Sequence, residues 1–282
     1  MYDLFISPFE SFIFLRRALI GCMALSLSCA PIGVLLVLRR MSLMGDALSH
    51  SALPGVAIGY TIAGLSLPAM SLGGFIAGLI VALISGAVSR TTLLKEDATL
   101  VGFYLIALAI GVIIVSVGGN KIDLIRILLG SVLAVDQSSL YLVACVSSFT
   151  LITLAIFYRP LIIEFFDPAF MRSINGKGGI YHMMFIVLVV ANMVASLHAL
   201  GTLMALGMMM LPAIAARFWS QNIPTLFIIS SVIALLSSYL GLILSYYYNW
   251  PSGPSIIIMC GLAYLVSMVI GKYGSFFQQR DY

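Results

Sequence analysis

The sequence predicts an all-α polytopic membrane protein of about nine (8–10) transmembrane helices in a single domain, 1–282, and three observations lead there. Of its 282 residues, 62% are hydrophobic and 9% charged, whereas a soluble domain averages about half apolar and a quarter charged. The mean hydropathy is +1.14. The apolar residues form long uninterrupted blocks, and a chain crossing lipid must satisfy its backbone internally, as helices do. Finally, the Lys and Arg residues sort by loop.

The blocks run 18–38, 47–62, 69–88, 100–118, 138–158, 180–199, 201–216, 224–247 and 255–271. A bilayer core takes about 20 helical residues to cross. Most blocks reach that length; 47–62 and 201–216 are short, contain Pro54 and Pro212, and adjoin polar residues. Transporters build their paths from such short or broken spans. The piece 122–134 is too short to span and reads as an amphipathic or re-entrant turn. Placing the 159–179 loop in the cytoplasm puts ten basic residues inside (Arg39, Arg40, Arg90, Lys95, Arg159, Arg172, Lys177, Arg217, Lys272, Arg280) and four outside (Arg16, Arg17, Lys121, Arg126). The positive-inside rule therefore favours that orientation, although Arg16 and Arg17 argue for an inside N-terminus.

Composition also excludes. The net charge of +4 lacks aromatic–basic interleaving or a basic run longer than two, so it describes topology and no nucleic-acid partner is expected. Cys22, Cys29, Cys145 and Cys260 lie in apolar blocks without C-x-x-C spacing and read as small buried residues. No removable signal peptide is expected. The stretch "INGKGG" would need Gly at Met171 and Ser or Thr at Gly178 to make a phosphate loop, so the chain is not expected to be an ATP-hydrolysing enzyme. Neither H-E-x-x-H nor G-x-S-x-G occurs.

Two stretches place polar chemistry among apolar residues. In "RRMSLMGDALSHSALPG" (39–55), Asp46 and His50 stand at i and i+4 and share a helix face. Pro54 has no N–H for the His50 carbonyl, so a carboxylate, an imidazole and a freed backbone oxygen would lie together. Mixed oxygen and nitrogen donors suit Mn²⁺, Fe²⁺ or Zn²⁺ and make a poor cage for Cu⁺. The alternative is an interfacial pair that only terminates a helix, and two ligands do not close a site. In 191–218, Asn192 and His198 are the weaker metal candidates, Gly201 and Gly207 allow close helix approach, and Pro212 breaks the short block. A packing role is the favoured reading of His198, and Met208–Met210 reads as lipid or core packing. His182 is expected at the membrane interface, and Glu96 and Asp97 in a solvated connection. "NWPSGPS" (249–255) is a turn, and Asp123 and Asp136 flank the 122–134 piece.

The loop "YRPLIIEFFDPAFMRSINGKGG" (158–179) interleaves Glu164, Asp167, Arg172, Asn175 and Lys177 with Phe165, Phe166, Phe170 and Met171. Asp167 and Pro168 should start a short helix that Asn175-Gly176 ends. Such a helix suits a partner's groove; an ordinary solvated loop helix is the alternative.

At these residues the chain resembles a known family. "LLVLRRMSLMGDALSHSALPGVAIGY" closely resembles the signature of the manganese/zinc/iron (ABC-3) family of ABC-importer permeases, nearly end to end. "FDPAFMRSING" resembles that family's ATPase-coupling segment, "GTLMALGMMMLPAIAARF" its G-x-L-L-V-x-A-L-L-x-x-P-A-A-T-A helix, and "SGPSI" its late loop. Met208–Met210 and Ala215–Ala216 depart from that pattern, as does His198. The resemblance implies a permease of vitamin-B12-importer-like architecture in the bacterial cytoplasmic membrane. It would pair with a second permease, commonly its own copy, with cytoplasmic ATPase subunits and with an extracytoplasmic metal-binding protein. It implies no cofactor; the divalent metal (Zn²⁺, Mn²⁺ or Fe²⁺) is the transported substrate. It places Asp46 and His50 on the path, and Glu164, Asp167, Arg172, Asn175 and Gly176 against the ATPase. Alternatives from other classes are a stand-alone secondary metal transporter and a multi-pass enzyme using Asp46 and His50 as acid and base.

Overall fold

The structure is a computed structural model, and it describes residues 9, 12–93, 96–117, 136–173 and 178–273. Among these there are eleven helices and no strand: α1 (Ile13–Leu38), α2 (Met44–Ser51), α3 (Leu53–Ala63), α4 (Leu67–Thr91), α5 (Glu96–Val117), α6 (Gln137–Phe166), α7 (Pro168–Ser173), α8 (Gly178–Leu200), α9 (Thr202–Arg217), α10 (Ile223–Tyr248) and α11 (Ser252–Ile270). The piece 122–134 with Asp123, and Asn175, Gly176 and Lys177, lie outside the described residues.

Seven of the described helices are long and apolar enough to cross a membrane: α1, α4, α5, α6, α8, α10 and α11. Nine apolar blocks therefore give seven such helices, and the two short blocks account for the difference. Block 47–62 divides into α2 and α3, which meet at Ala52 with right-handed angles (φ −71°, ψ −22°). Pro54 opens α3, where a missing N–H is tolerated. Block 201–216 is α9, whose 16 residues contain Pro212.

Polar punctuation explains several helix ends. Arg40 adopts the left-handed conformation (φ 59°), and the Met41 N–H reaches back to the Leu36 carbonyl, closing α1. Asn249 does the same after α10 (φ 52°), but the turn expected over 249–255 is confined to 249–251, because α11 already begins at Ser252 and takes in the "SGPSI" stretch. The Asp136 carboxylate accepts the Ser139 N–H at 2.8 Å and caps α6. The block expected to stop at 158 continues to Phe166 through a kink at Phe157 (φ −101°, ψ 15°). Pro160 supplies the cause, because its ring displaces the carbonyl one turn earlier.

The chain forms two compact units, one of Met1–Ser42, Ile125–Ser147 and Ala195–Tyr282, the other of Leu43–Leu124 and Ser148–Val194. In the first, α1, α9, α10 and α11 pack on one another. Val34, Ala213, Ala216 and Leu226 are fully buried there, and Gly33 lets α1 approach the Met209 carbonyl so closely that a Cβ would overlap it. Met208, Met209 and Met210 are all buried, as packing residues should be. Ser28 bonds to Ser147 (3.0 Å), and Cys29 to Ser196 (3.5 Å). Cys22, Cys29 and Cys260 are buried as expected; Cys145 is exposed instead, and all four are free thiols. With little hydrophobic drive between helices in lipid, small residues and hydroxyl bonds of this kind favour association.

In the second unit α2 and α3 lie against α4 and α5. Gly55 and Gly73 meet backbone to backbone, leaving no room for a Cβ on either. His182, expected at an interface, is instead 6% exposed with its Nε2 3.1 Å from Glu96 Oε1. Glu96 accordingly belongs to no solvated connection: it opens α5 and joins that helix to α8. Burial favours such pairing because an unpaired polar group there loses its water without return.

Candidate functional site

Asp46 lies in the first turn of α2 and His50 in the last, a placement that suits a carboxylate and an imidazole at the two ends of the helix dipole. His50 Nε2 is 3.5 Å from Asp46 Oδ1, and the two side chains are 39% and 44% exposed. Donor atoms about 2.1 Å from one metal ion, at tetrahedral or octahedral angles, lie about 3.0–3.5 Å apart. The pair is therefore spaced to share an ion and open enough to receive one. Among the described residues no third His, Cys, Asp or Glu joins it. Two donors on an open surface bind and release, whereas a closed four-donor cage retains.

The rest of the expected constellation is less simple. The Ala52 N–H at the end of α2 donates to the Leu48 carbonyl at 3.2 Å and passes only close to the His50 carbonyl, the one that Pro54 was expected to free. Asn192 is fully buried on α8 in the same unit, and its amide donates to Thr150 Oγ1 (2.7 Å) and to the Leu188 carbonyl (2.8 Å). The bond to Thr150 fastens α8 to α6, while the one to Leu188 stays within α8. His198, half-buried in the last turn of α8, belongs to the first unit. It is followed by Gly201, whose angles (φ 90°, ψ 164°) only glycine adopts readily, so the chain turns there from α8 into α9. Pro212 stands within α9.

Within the expected 158–179 loop, the short helix started by Asp167 and Pro168 forms, whereas Glu164–Phe166 are the end of α6. Asp167 Oδ1 accepts the Phe170 N–H at 2.8 Å and caps α7, with Pro168 at its first position. Phe166 and Phe170 are 58% and 49% exposed on either side of that cap. Arg172 lies within α7. Glu164 is placed against Gly178, the first residue of α8, where a Cβ would collide with its carboxylate.

Sequence reasoning passed over three residues around these sites. Gly178 was visible only as part of a glycine-rich tail. Gly111 on α5 abuts Leu53 and Pro54, and Tyr104 on the same helix stacks on the His50 ring. Neither carries a motif, and nothing short of the tertiary contact singles them out.

The chain as a whole matches known proteins. The model of the ABC 3 transport family matches residues 11–271. The manganese import system permease protein ScaB of Streptococcus gordonii is 30% identical over 280 residues, covering 99% of each chain. A probable iron transport system membrane protein of Haemophilus influenzae is 33% identical over 275 residues, 97% of this chain and 96% of its own. The solved structure of PsaBC from Streptococcus pneumoniae in complex with Fab superposes with a TM-score of 0.86 at 29% identity, covering 99% of this chain and 100% of that one. A metal-chelate type ABC transporter in an inward-facing conformation shares the fold (TM-score 0.68, 14% identity, 89% and 84% covered). With the family model spanning almost the whole chain, this protein belongs to the ABC 3 transport family.

Proposed function

We propose that the chain is the membrane permease of an ABC importer that carries a divalent transition metal, Mn²⁺, Zn²⁺ or Fe²⁺, across the bacterial cytoplasmic membrane. The observation that carries this reading is the half-exposed Asp46–His50 pair, 3.5 Å apart on a short helix of an otherwise apolar chain. A charge at membrane depth is expensive and is kept where it serves a path. The manganese named for ScaB of S. gordonii makes Mn²⁺ the first candidate, and the iron named for the H. influenzae relative keeps Fe²⁺ beside it.

Transport proceeds by alternating access. An extracytoplasmic metal-binding protein delivers the ion, and Asp46 and His50 replace part of its water while the remaining ligands stay labile. A second permease, taken to be a copy of this chain, brings an equivalent pair. Cytoplasmic ATPase subunits supply the energy, and the segment 159–179, with Glu164, Asp167, Arg172, Asn175 and Gly176, transmits it. The whole of 1–282 acts as one permease domain, with Pro54, Gly201 and Pro212 shaping its short helices.

The test is cellular Mn, Zn and Fe content by elemental mass spectrometry under starvation for each metal. Cells lacking the chain should lose one metal, wild type should restore it, and Asp46→Ala at equal membrane abundance should not. Unchanged content of all three metals in every strain would sink the proposal.

A further inference from the structure

Tyr104 stands at the Asp46–His50 pair but belongs to no motif that marks it. Its ring stacks on the His50 imidazole, with centroids 6.3 Å apart and planes inclined by 27°. That is within the range in which aromatic pairs attract. The placement follows from how α5 sits. Gly111 of α5 lies so close to the joint of α2 and α3 that a Cβ would overlap Leu53 Cδ2 and come within 2.9 Å of the Pro54 nitrogen. Tyr104 is two helical turns before Gly111, on the same face. His50 is one turn before Pro54. The glycine contact thus sets the depth of α5, and Tyr104 reaches the imidazole at a second point along the same seam.

The imidazole needs such a support. It is 39% exposed on a helix of eight residues that has no side-chain cap. Its 3.5 Å separation from Asp46 is longer than a directional hydrogen bond, so the carboxylate does not hold the ring plane alone. We propose that Tyr104 is a positioning residue of the metal path. It holds the His50 ring with Nε2 turned toward Asp46 Oδ1, and its π face stabilises the imidazole as that ring gives electron density to a bound cation. A residue serving only to fill space between α2 and α5 would be replaceable by an aliphatic side chain without effect on metal affinity. The inference rests on the reading of Asp46 and His50 as ligands of the transported ion.

The experiment is uptake of isotopic Mn²⁺ by cells carrying the complete transporter, with rates expressed per permease in the membrane. Tyr104→Leu should raise KM about fivefold, the scale of one lost aromatic contact, with the maximal rate retained. Tyr104→Phe, which keeps the ring, should match the parent. If Tyr104→Leu does not accumulate, Tyr104→Met takes its place with the same expectation. An unchanged KM in the aliphatic variant overturns the inference, and so does an equal rise in Tyr104→Phe. Asp46→Ala and His50→Ala are measured alongside. If they transport normally, the metal-path reading itself fails. If they do not transport while Tyr104→Leu behaves as the parent, only the role of Tyr104 fails.

Discussion

Glu96 and His182 show how one side-chain pair can look different in sequence and in space. Read along the chain, Glu96 follows a lysine in a short connection and His182 sits at the edge of an apolar block. In the structure they are 3.1 Å apart, with side chains 24% and 8% exposed, and they join α5 to α8. Removing one partner leaves the other largely desolvated, which costs about 1–3 kcal/mol. Glu96→Ala and His182→Ala should therefore each lower the unfolding midpoint of the purified permease in detergent. The double variant should be less destabilised than the sum of the singles, and strict additivity would show that the pair is not coupled. Asp46 and His50 resemble this pair chemically, yet they are half-exposed and farther apart. The difference in burial separates a structural clasp from a site that can exchange a ligand.

At the scale of an element, α7 is a helix of six residues held by one side chain. Asp167 caps it, and a helix so short has little other stability, since nucleation is unfavourable and there are few bonds to propagate. Asp167→Ala removes about 1 kcal/mol of capping, whereas Asp167→Asn retains a good cap. If α7 carries the ATPase contact, Asp167→Ala should slow transport at unchanged metal KM, and Asp167→Asn should restore most of it. A loss in both variants would assign the effect to the charge of Asp167. Gly201 works differently: its backbone angles, not its side chain, end α8 and begin α9. Pro160 and Phe157 form a third device, bending α6 without ending it.

At the scale of the whole molecule, transport should stop when cellular ATP is depleted while the membrane potential is held by respiration. Continued uptake would point to a gradient-driven carrier. The contrast follows from the chain itself, which carries no phosphate loop and places few carboxylates within its apolar helices.

Much of this protein was legible in the sequence because the relevant physics is local. Apolar blocks marked the helices, since an unpaired backbone is prohibitive in lipid. The i, i+4 spacing of Asp46 and His50 brought them onto one face, because helical geometry alone does so. Asp167-Pro168 announced α7, as capping involves residues only three apart. Local pattern was silent wherever partners come from distant parts of the chain. It did not show that Glu96 meets His182, or that Asn192 is occupied by Thr150. Nor did it reveal that Gly55 and Gly111 admit neighbouring helices, or that Tyr104 backs His50. The sequence alone determined which residues could ligate an ion and which helix carries them. The tertiary structure decided which polar groups remain open to one, because burial and packing are properties of helices brought together, and no single helix encodes its neighbours.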